Sequence, residues 1–66
     1  MRLTINGEER EVAAAATVEA LVAVLGLDRR KLAVERNLEI VPRSLFATTP
    51  LLEGDRIEIV AFVGGG

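Results

Sequence analysis

The chain has 66 residues, half of them hydrophobic, and a formal net charge of −2 from 8 Lys and Arg against 10 Asp and Glu, so a single small domain with a modest core is expected. It contains no His, Cys, Trp or Tyr, which excludes a Cys–His nucleophile pair, a thiolate or imidazole metal site and a disulfide framework. The acidic balance and two aromatic residues argue against nucleic-acid binding, and no apolar run approaches the roughly 20 residues of a membrane helix.

The first predicted element is a β-hairpin. Polar and apolar residues alternate over residues 2–5, which predicts a half-buried strand. Asn6-Gly7 favours a type I′ turn, and residues 8–12 form the returning strand. A two-residue turn would place Arg10 opposite Leu3 on a core-facing side. Either the loop is longer than two residues, or Arg10 lies near a sheet margin with its stem packed and its head in water.

An amphipathic helix of about nine residues follows. The four alanines at 13–16 favour a helix by propensity alone, but Thr17 is a good N-cap, and Glu19 would lie in the positive first turn. Gly26 predicts a left-handed stop, and Leu27 fits the hydrophobic contact of a Schellman motif. The apolar stripe of the helix is Val18, Leu21, Val22 and Leu25.

A second hairpin is predicted after an exposed connector. Residues 28–31 are Asp-Arg-Arg-Lys, which we interpret as a solvated loop, although three positive charges could also contact an anion or a partner. Residues 32–35 form a strand, Arg36-Asn37 a turn, and residues 38–41 a short strand that stops at Pro42. Leu38 is an awkward turn residue, so the register of this hairpin stays open.

The last third of the chain leads to a central strand. Residues 43–50 form a connection with one 3₁₀ turn, and Leu45, Phe46 and Leu51 would attach it to the core. Glu53-Gly54-Asp55 forms a turn. The β-branched run at 57–63 predicts a buried strand.

The order of these elements, β-β-α-β-β-loop-β, predicts an α+β fold. One helix packs on one face of a mixed sheet, and the last, most apolar strand needs a parallel partner, for which the first strand is the natural candidate. This arrangement is a ubiquitin-like β-grasp. The expected domain covers residues 1–63, and residues 64–66 form a flexible tail.

The carboxylates inside the fold suggest no catalytic site. Glu8, Glu9, Glu11 and Glu58 lie on surface-facing or turn-adjacent positions without an accompanying base, nucleophile or cleft, so we interpret them as a solvated surface.

The C-terminal glycines are the candidate functional feature. Gly64, Gly65 and Gly66 follow a strand, and glycine adds no packing while losing the most entropy when ordered. Such a thread is slim and reaches roughly 10 Å, enough to enter a narrow channel in a partner. Its one reactive group would be the α-carboxylate of Gly66, which a partner could activate with ATP. The alternative is a frayed terminus without function.

Several segments of the chain resemble the ThiS sulfur carrier proteins of thiamine biosynthesis. The resemblance covers essentially the whole chain, including its length, and the third glycine is its one departure, because the family needs two. The segments that carry it are Ile40-Val41-Pro42-Arg43, Glu53-Gly54-Asp55, Ile57-Glu58-Ile59-Val60 and Phe62-Val63-Gly64-Gly65-Gly66.

The resemblance implies a carrier that is a co-substrate and not an enzyme. A ThiF-type adenylyltransferase would use ATP to form an acyl-adenylate on Gly66, sulfur from a cysteine desulfurase would convert it to a thiocarboxylate (1-thioglycine), and thiazole synthase would take the sulfur. The carrier itself would bind no cofactor. A β-grasp carrier for a molybdopterin precursor, tRNA or protein lysines is the alternative, and a plain interaction domain is a third class.

A docking patch is expected beside the tail. Outward-facing Val60 and Phe62 would be exposed on the sheet, close to the thread, although Phe62 could simply cover the end of the core. Arg43 and Arg56 are weaker candidates for rim contacts. The segment MRLTINGEER lacks the apolar stretch of a signal peptide, so we expect a cytoplasmic monomer that associates with neither membranes nor nucleic acids.

Overall fold

A computed structural model describes residues 1–13 and 15–62 of the chain. Within these ranges the fold has five strands, one α-helix and two short 3₁₀ turns. Its elements are β1 (Arg2–Ile5), β2 (Glu8–Glu11), α1 (Val18–Val24), a 3₁₀ turn (Arg29–Lys31), β3 (Leu32–Arg36), β4 (Glu39–Val41), a second 3₁₀ turn (Arg43–Leu45) and β5 (Arg56–Ala61).

The strands form one mixed sheet in the order β2-β1-β5-β3-β4. β5 lies at the centre, parallel to β1 and antiparallel to β3. The helix covers one face of this sheet, and the predicted β-grasp is therefore confirmed. The buried core contains residues of α1, of the strands and of the connections between them, and Leu25 of the predicted stripe packs against it while partly exposed. The core residues are Leu3, Ile5, Val12, Ala15, Val18, Leu21, Val22, Leu32, Val34, Val41, Phe46, Leu51 and Ile57.

The first hairpin settles the question of Arg10. Asn6 and Gly7 have φ values of 49° and 83°, so the turn has two residues, and Leu3 pairs with Arg10. β2 is an edge strand whose four residues are all exposed. Arg10 can therefore share a face with Leu3 because the margin of the sheet leaves its head in water.

Both predicted ends of the helix are confirmed. The Thr17 hydroxyl accepts a hydrogen bond from the Ala20 N–H at 3.1 Å. At the other end the Leu27 N–H donates to the Val22 carbonyl at 3.1 Å, and the Gly26 N–H donates to the Ala23 carbonyl at 3.0 Å. These are the two hydrogen bonds of a Schellman motif. Gly26 has a φ of 73°, a backbone conformation that is strained for a residue with a side chain. The helix is seven residues long, shorter than the nine expected.

The predicted turn of the second hairpin is wrong by one residue. The turn residues are Asn37 and Leu38, with φ values of 52° and 73°, and Arg36 pairs with Glu39 as part of the ladder. The local preference against Leu in a left-handed turn was outweighed by the pairing of β3 with β4, because a slip of one residue would turn Val41 out of the core.

The connection from β4 to β5 is attached by two of the three residues expected. Phe46 and Leu51 are buried, but Leu45 is exposed, so its predicted role in the core is wrong. Leu45 ends the 3₁₀ turn that precedes Phe46. Neighbouring residues of a 3₁₀ turn point about 120° apart, so both cannot face the same core.

None of the helices in residues 1–13 and 15–62 has the length and apolar character that crossing a membrane requires.

Candidate functional site

The end of β5 is the part of the described structure that lies nearest in sequence to the predicted thread. The pairing of β5 with β3 continues past Ala61, because the Phe62 N–H donates to the Lys31 carbonyl at 2.8 Å. Strand geometry therefore holds the chain up to Phe62. Val63 and the predicted tail, Gly64 to Gly66, lie outside the described residues.

A capped 3₁₀ turn positions the Lys31 carbonyl. The Asp28 carboxylate accepts from the Arg30 N–H at 2.9 Å, and the Lys31 N–H donates to the Asp28 carbonyl at 2.9 Å. A side-chain hydrogen bond from Arg30 lowers the pKa of Asp28 to about 2, so this cap stays ionised at neutral pH. The segment is exposed, as predicted for a solvated loop, but it is an ordered turn.

Two of the three cations in this turn have partners inside the chain. Arg30 forms an ion pair with Asp28 at 3.0 Å, and Arg29 forms one with Glu19 of α1 at 2.9 Å. Arg29 also donates to the Arg43 carbonyl at 3.3 Å. These contacts hold the turn against α1 and against the second 3₁₀ turn. The charges of Arg29 and Arg30 therefore have a structural role.

Val60 and Phe62 face outward on the side of the sheet that the helix does not cover. Their exposed fractions are 61% and 53%, while Ile57 is fully buried and Ile59 packs partly against the core. This alternation is the period-2 pattern of a strand with one covered face. The predicted exposure of both residues is confirmed, and their docking role stays a prediction.

A third large apolar residue on this open side was not predicted. Ile40 of β4 is 74% exposed and pairs with Glu35 of β3, while Ala33 pairs with Val60. The alternation of Ile40 with inward-facing Val41 was the available signal, but Ile-Val resembles a buried pair when the register is unknown. The open side therefore carries exposed apolar side chains on β4 and β5, on either side of the cross-strand pair Glu35 and Glu58.

The other end of β5 is fixed by a buried carboxylate. Asp55 accepts from the Leu52 N–H and from Arg36 Nε, each at 2.8 Å, and from the Asn37 amide at 3.0 Å. Burial opposes its ionisation, but these hydrogen bonds outweigh that effect and hold the pKa of Asp55 below its usual value. The predicted Glu53–Asp55 turn is confirmed, and its carboxylate has a structural role.

The remaining candidates lie on the surface. Arg43 and Arg56 are exposed, and the Arg56 backbone N–H donates to the Asn37 side chain at 2.9 Å. Glu8, Glu9 and Glu11 lie on the exposed edge strand β2, whereas Glu58 is half-buried on the open side of the central strand. The exposed apolar residues Ile40, Val60 and Phe62 thus lie on one side of the sheet, and Val60 and Phe62 lie near the end of the central strand.

Comparison with known proteins gives the same picture. The ThiS family model matches residues 3–66. A crystal structure of a thiamine biosynthesis protein (ThiS) from Geobacter metallireducens superposes with a TM-score of 0.85 at 35% identity, and the match covers both chains completely. The sulfur carrier protein ThiS of Bacillus subtilis is 42% identical over 50 residues, which are 76% of each chain.

A longer relative contains a segment that is similar to the whole chain. A thiazole synthase of Paramagnetospirillum magneticum is 62% identical over all 66 residues, and the chain spans 20% of that protein. Because the family model, a complete structural match and a relative covered over most of its length agree, the chain belongs to the ThiS family.

Proposed function

We propose that this chain carries sulfur for the formation of the thiazole ring in thiamine biosynthesis, with Gly66 as the carrying residue. The observation that supports this most is the family match through residue 66, on a fold whose central strand is followed in the sequence by the glycine segment. In this proposal the chain is a co-substrate, and partner enzymes perform the chemistry.

The proposed cycle uses the α-carboxylate of Gly66. A ThiF-type adenylyltransferase directs a carboxylate oxygen to the α-phosphorus of ATP, which forms an acyl-adenylate and releases pyrophosphate. A cysteine desulfurase supplies sulfur as a persulfide, whose terminal sulfur displaces AMP and forms an acyl disulfide. A thiol then reduces the S–S bond, which leaves the thiocarboxylate and a new disulfide. Thiazole synthase takes this sulfur in exchange for an oxygen from its substrate or from water, and Gly66 returns to a carboxylate that can enter the next cycle.

The body of the carrier would offset the entropy of ordering the thread. Fixing each backbone residue costs roughly 1–2 kcal/mol, so a partner that threads Gly64 to Gly66 needs further contacts with the folded part. Val60 and Phe62 are suited to this, because they are exposed apolar residues directly before the thread. We assign them to docking on the partner enzymes.

The relative from P. magneticum supports thiazole synthase as one of these partners. In that protein a segment 62% identical to this chain is part of a polypeptide that is named thiazole synthase. A carrier-like segment and the rest of such a protein are held permanently close together. For the present chain we infer the same pairing, whether the two parts share a polypeptide or meet as separate chains.

The experiment that tests the proposal is ATP–pyrophosphate exchange with a ThiF-type adenylyltransferase. The wild-type chain should support exchange, and conversion of the Gly66 α-carboxylate to an amide should abolish it without lowering the thermal midpoint of the fold. The double variant V60A/F62A should raise the KM for the carrier roughly tenfold with little change in kcat, because docking residues contribute binding energy.

Leu52→Ala is the matched control, since Leu52 is also an exposed apolar residue but lies near the opposite end of β5. Its KM should equal that of the wild type. Exchange that survives amidation of the Gly66 carboxylate would show that another group is adenylated. An unchanged KM in V60A/F62A would remove these two residues from the docking site.

A further inference from the structure

The open side of the sheet, which α1 does not cover, is the open face of the molecule. It carries a pair of opposed carboxylates at its centre. Glu35 of β3 and Glu58 of β5 are direct cross-strand partners. Side chains at such positions have Cβ atoms about 4.5–5.5 Å apart, and like charges there destabilise a sheet. Among residues 1–13 and 15–62, neither carboxylate has a cation within ion-pair distance.

A second feature of this region also acts against the stability of the isolated chain. Leu38 has a φ of 73° and is 74% exposed, in the turn that leads into β4. The equivalent second position of the first hairpin turn is Gly7, which adopts such a φ without strain. An exposed leucine in a left-handed conformation contributes no core packing, so the fold alone does not account for it.

The two carboxylates lie among apolar side chains. Ile40 is the cross-strand neighbour of Glu35, and Val60 follows Glu58 on the same face of β5. A partner that covers the apolar side chains Ile40 and Val60 also removes water from both carboxylates. Burying two unpaired charges is costly, so a complementary partner must bring a cation to them. Arg56, two positions before Glu58, forms no ion pair with it.

We propose that the open face docks on thiazole synthase, and that the synthase places an arginine side chain between Glu35 and Glu58. The planar guanidinium can donate to two carboxylates at once, which a lysine ammonium does less well. The inference rests on the proposed function. Thiazole synthase is the chosen occupant because a segment like this chain is part of a thiazole synthase polypeptide in P. magneticum, which keeps the two surfaces in contact range.

Removing either carboxylate should therefore stabilise the chain and weaken the complex. Glu35→Gln and Glu58→Gln should each raise the thermal midpoint by about 2–4 °C, because the repulsion is relieved. Each should also weaken binding to purified thiazole synthase from the same organism roughly tenfold in calorimetry. Leu38→Gly should likewise raise the midpoint and weaken binding. A purely structural role would not move stability and affinity in opposite directions.

Glu8→Gln is the matched control, since it removes one charge from the exposed edge strand β2. It should change neither the midpoint nor the affinity. Wild-type affinity in Glu35→Gln and Glu58→Gln would overturn the inference, as would equal weakening by Glu8→Gln, which would indicate only a long-range effect of net charge.

Two further outcomes separate this inference from the proposed function. If the Gln variants keep their affinity for thiazole synthase but lose adenylate exchange, the occupant of the open face is wrong. If the wild-type chain does not bind thiazole synthase at all, both the inference and the synthase step of the proposed function are contradicted. The replacement of oxygen by sulfur on Gly66, measured by intact mass, still tests sulfur carriage in that case.

Discussion

Asp55 is a charged residue that the fold buries, with an exposed fraction of 7%. Its carboxylate joins the turn before β5 to the second hairpin through Leu52, Arg36 and Asn37. A buried carboxylate is tolerated only where hydrogen bonds and a nearby cation replace water. The folded state therefore favours the ionised form, and the pKa of Asp55 is lower than in the unfolded chain.

The stability of the chain should depend on this ionisation. A lowered pKa in the folded state contributes stability that is present above the ordinary carboxyl value of about 4 and is lost as the pH falls through the folded value. Asp55→Ala should cost about 2–4 kcal/mol at pH 7, because it leaves three donors without their acceptor.

Urea denaturation at pH 7 and pH 3 checks this prediction. The difference in unfolding free energy between wild type and Asp55→Ala should be smaller at pH 3. A difference that is independent of pH would show that the charge of Asp55 does not contribute, and that only packing was lost.

At the scale of elements, α1 depends on its two ends. A helix of seven residues is too short to be stable by propensity, so its caps and its buried stripe decide its stability. Thr17 satisfies an N–H at the start, and Gly26 provides the left-handed residue at the end. Apart from its chain neighbours, no atom of the described residues lies within 4 Å of a Cβ placed on Gly26, so the cost of a side chain there is conformational.

Thr17→Ala should destabilise the chain by about 1 kcal/mol through loss of the cap, and Gly26→Ala by about 1–2 kcal/mol through strain at positive φ. The two sites are about 13 Å apart along the helix axis at 1.5 Å per residue, so the double variant should show the sum. Thermal or urea denaturation of the three variants measures this. If the double variant is as stable as the less stable of the two single variants, the helix is already frayed.

The sequence allowed some elements to be predicted better than others, for local reasons. Asn6-Gly7 and the Thr17 cap have side chains that favour one local structure, and both were predicted correctly. The turn at Asn37-Leu38 was misplaced, because pairing between strands determines it against the preference of Leu38. The prediction that Leu45 is buried is wrong because its burial depends on how a 3₁₀ turn is oriented, which composition does not reveal.

At the scale of the whole molecule, the central position of β5 connects fold and site. Pairing on both sides holds this strand, and its outward residues Val60 and Phe62 could be predicted from alternation alone. The opposition of Glu35 and Glu58 could not, because it depends on the register between two strands distant in sequence. The same strand that organises the core thus presents Val60 and Phe62 on the open side of the sheet, where we propose that partner enzymes dock.

Intact-mass analysis of the protein purified from its own host decides whether Gly66 carries sulfur. We expect a fraction of molecules in which one sulfur replaces one oxygen, with the change located on Gly66 by fragmentation. This fraction should grow when thiazole synthase is absent, because the sulfur is not consumed. Protein that never gains this mass in cells that make thiamine, or that gains it at another residue, would show that Gly66 does not carry the sulfur.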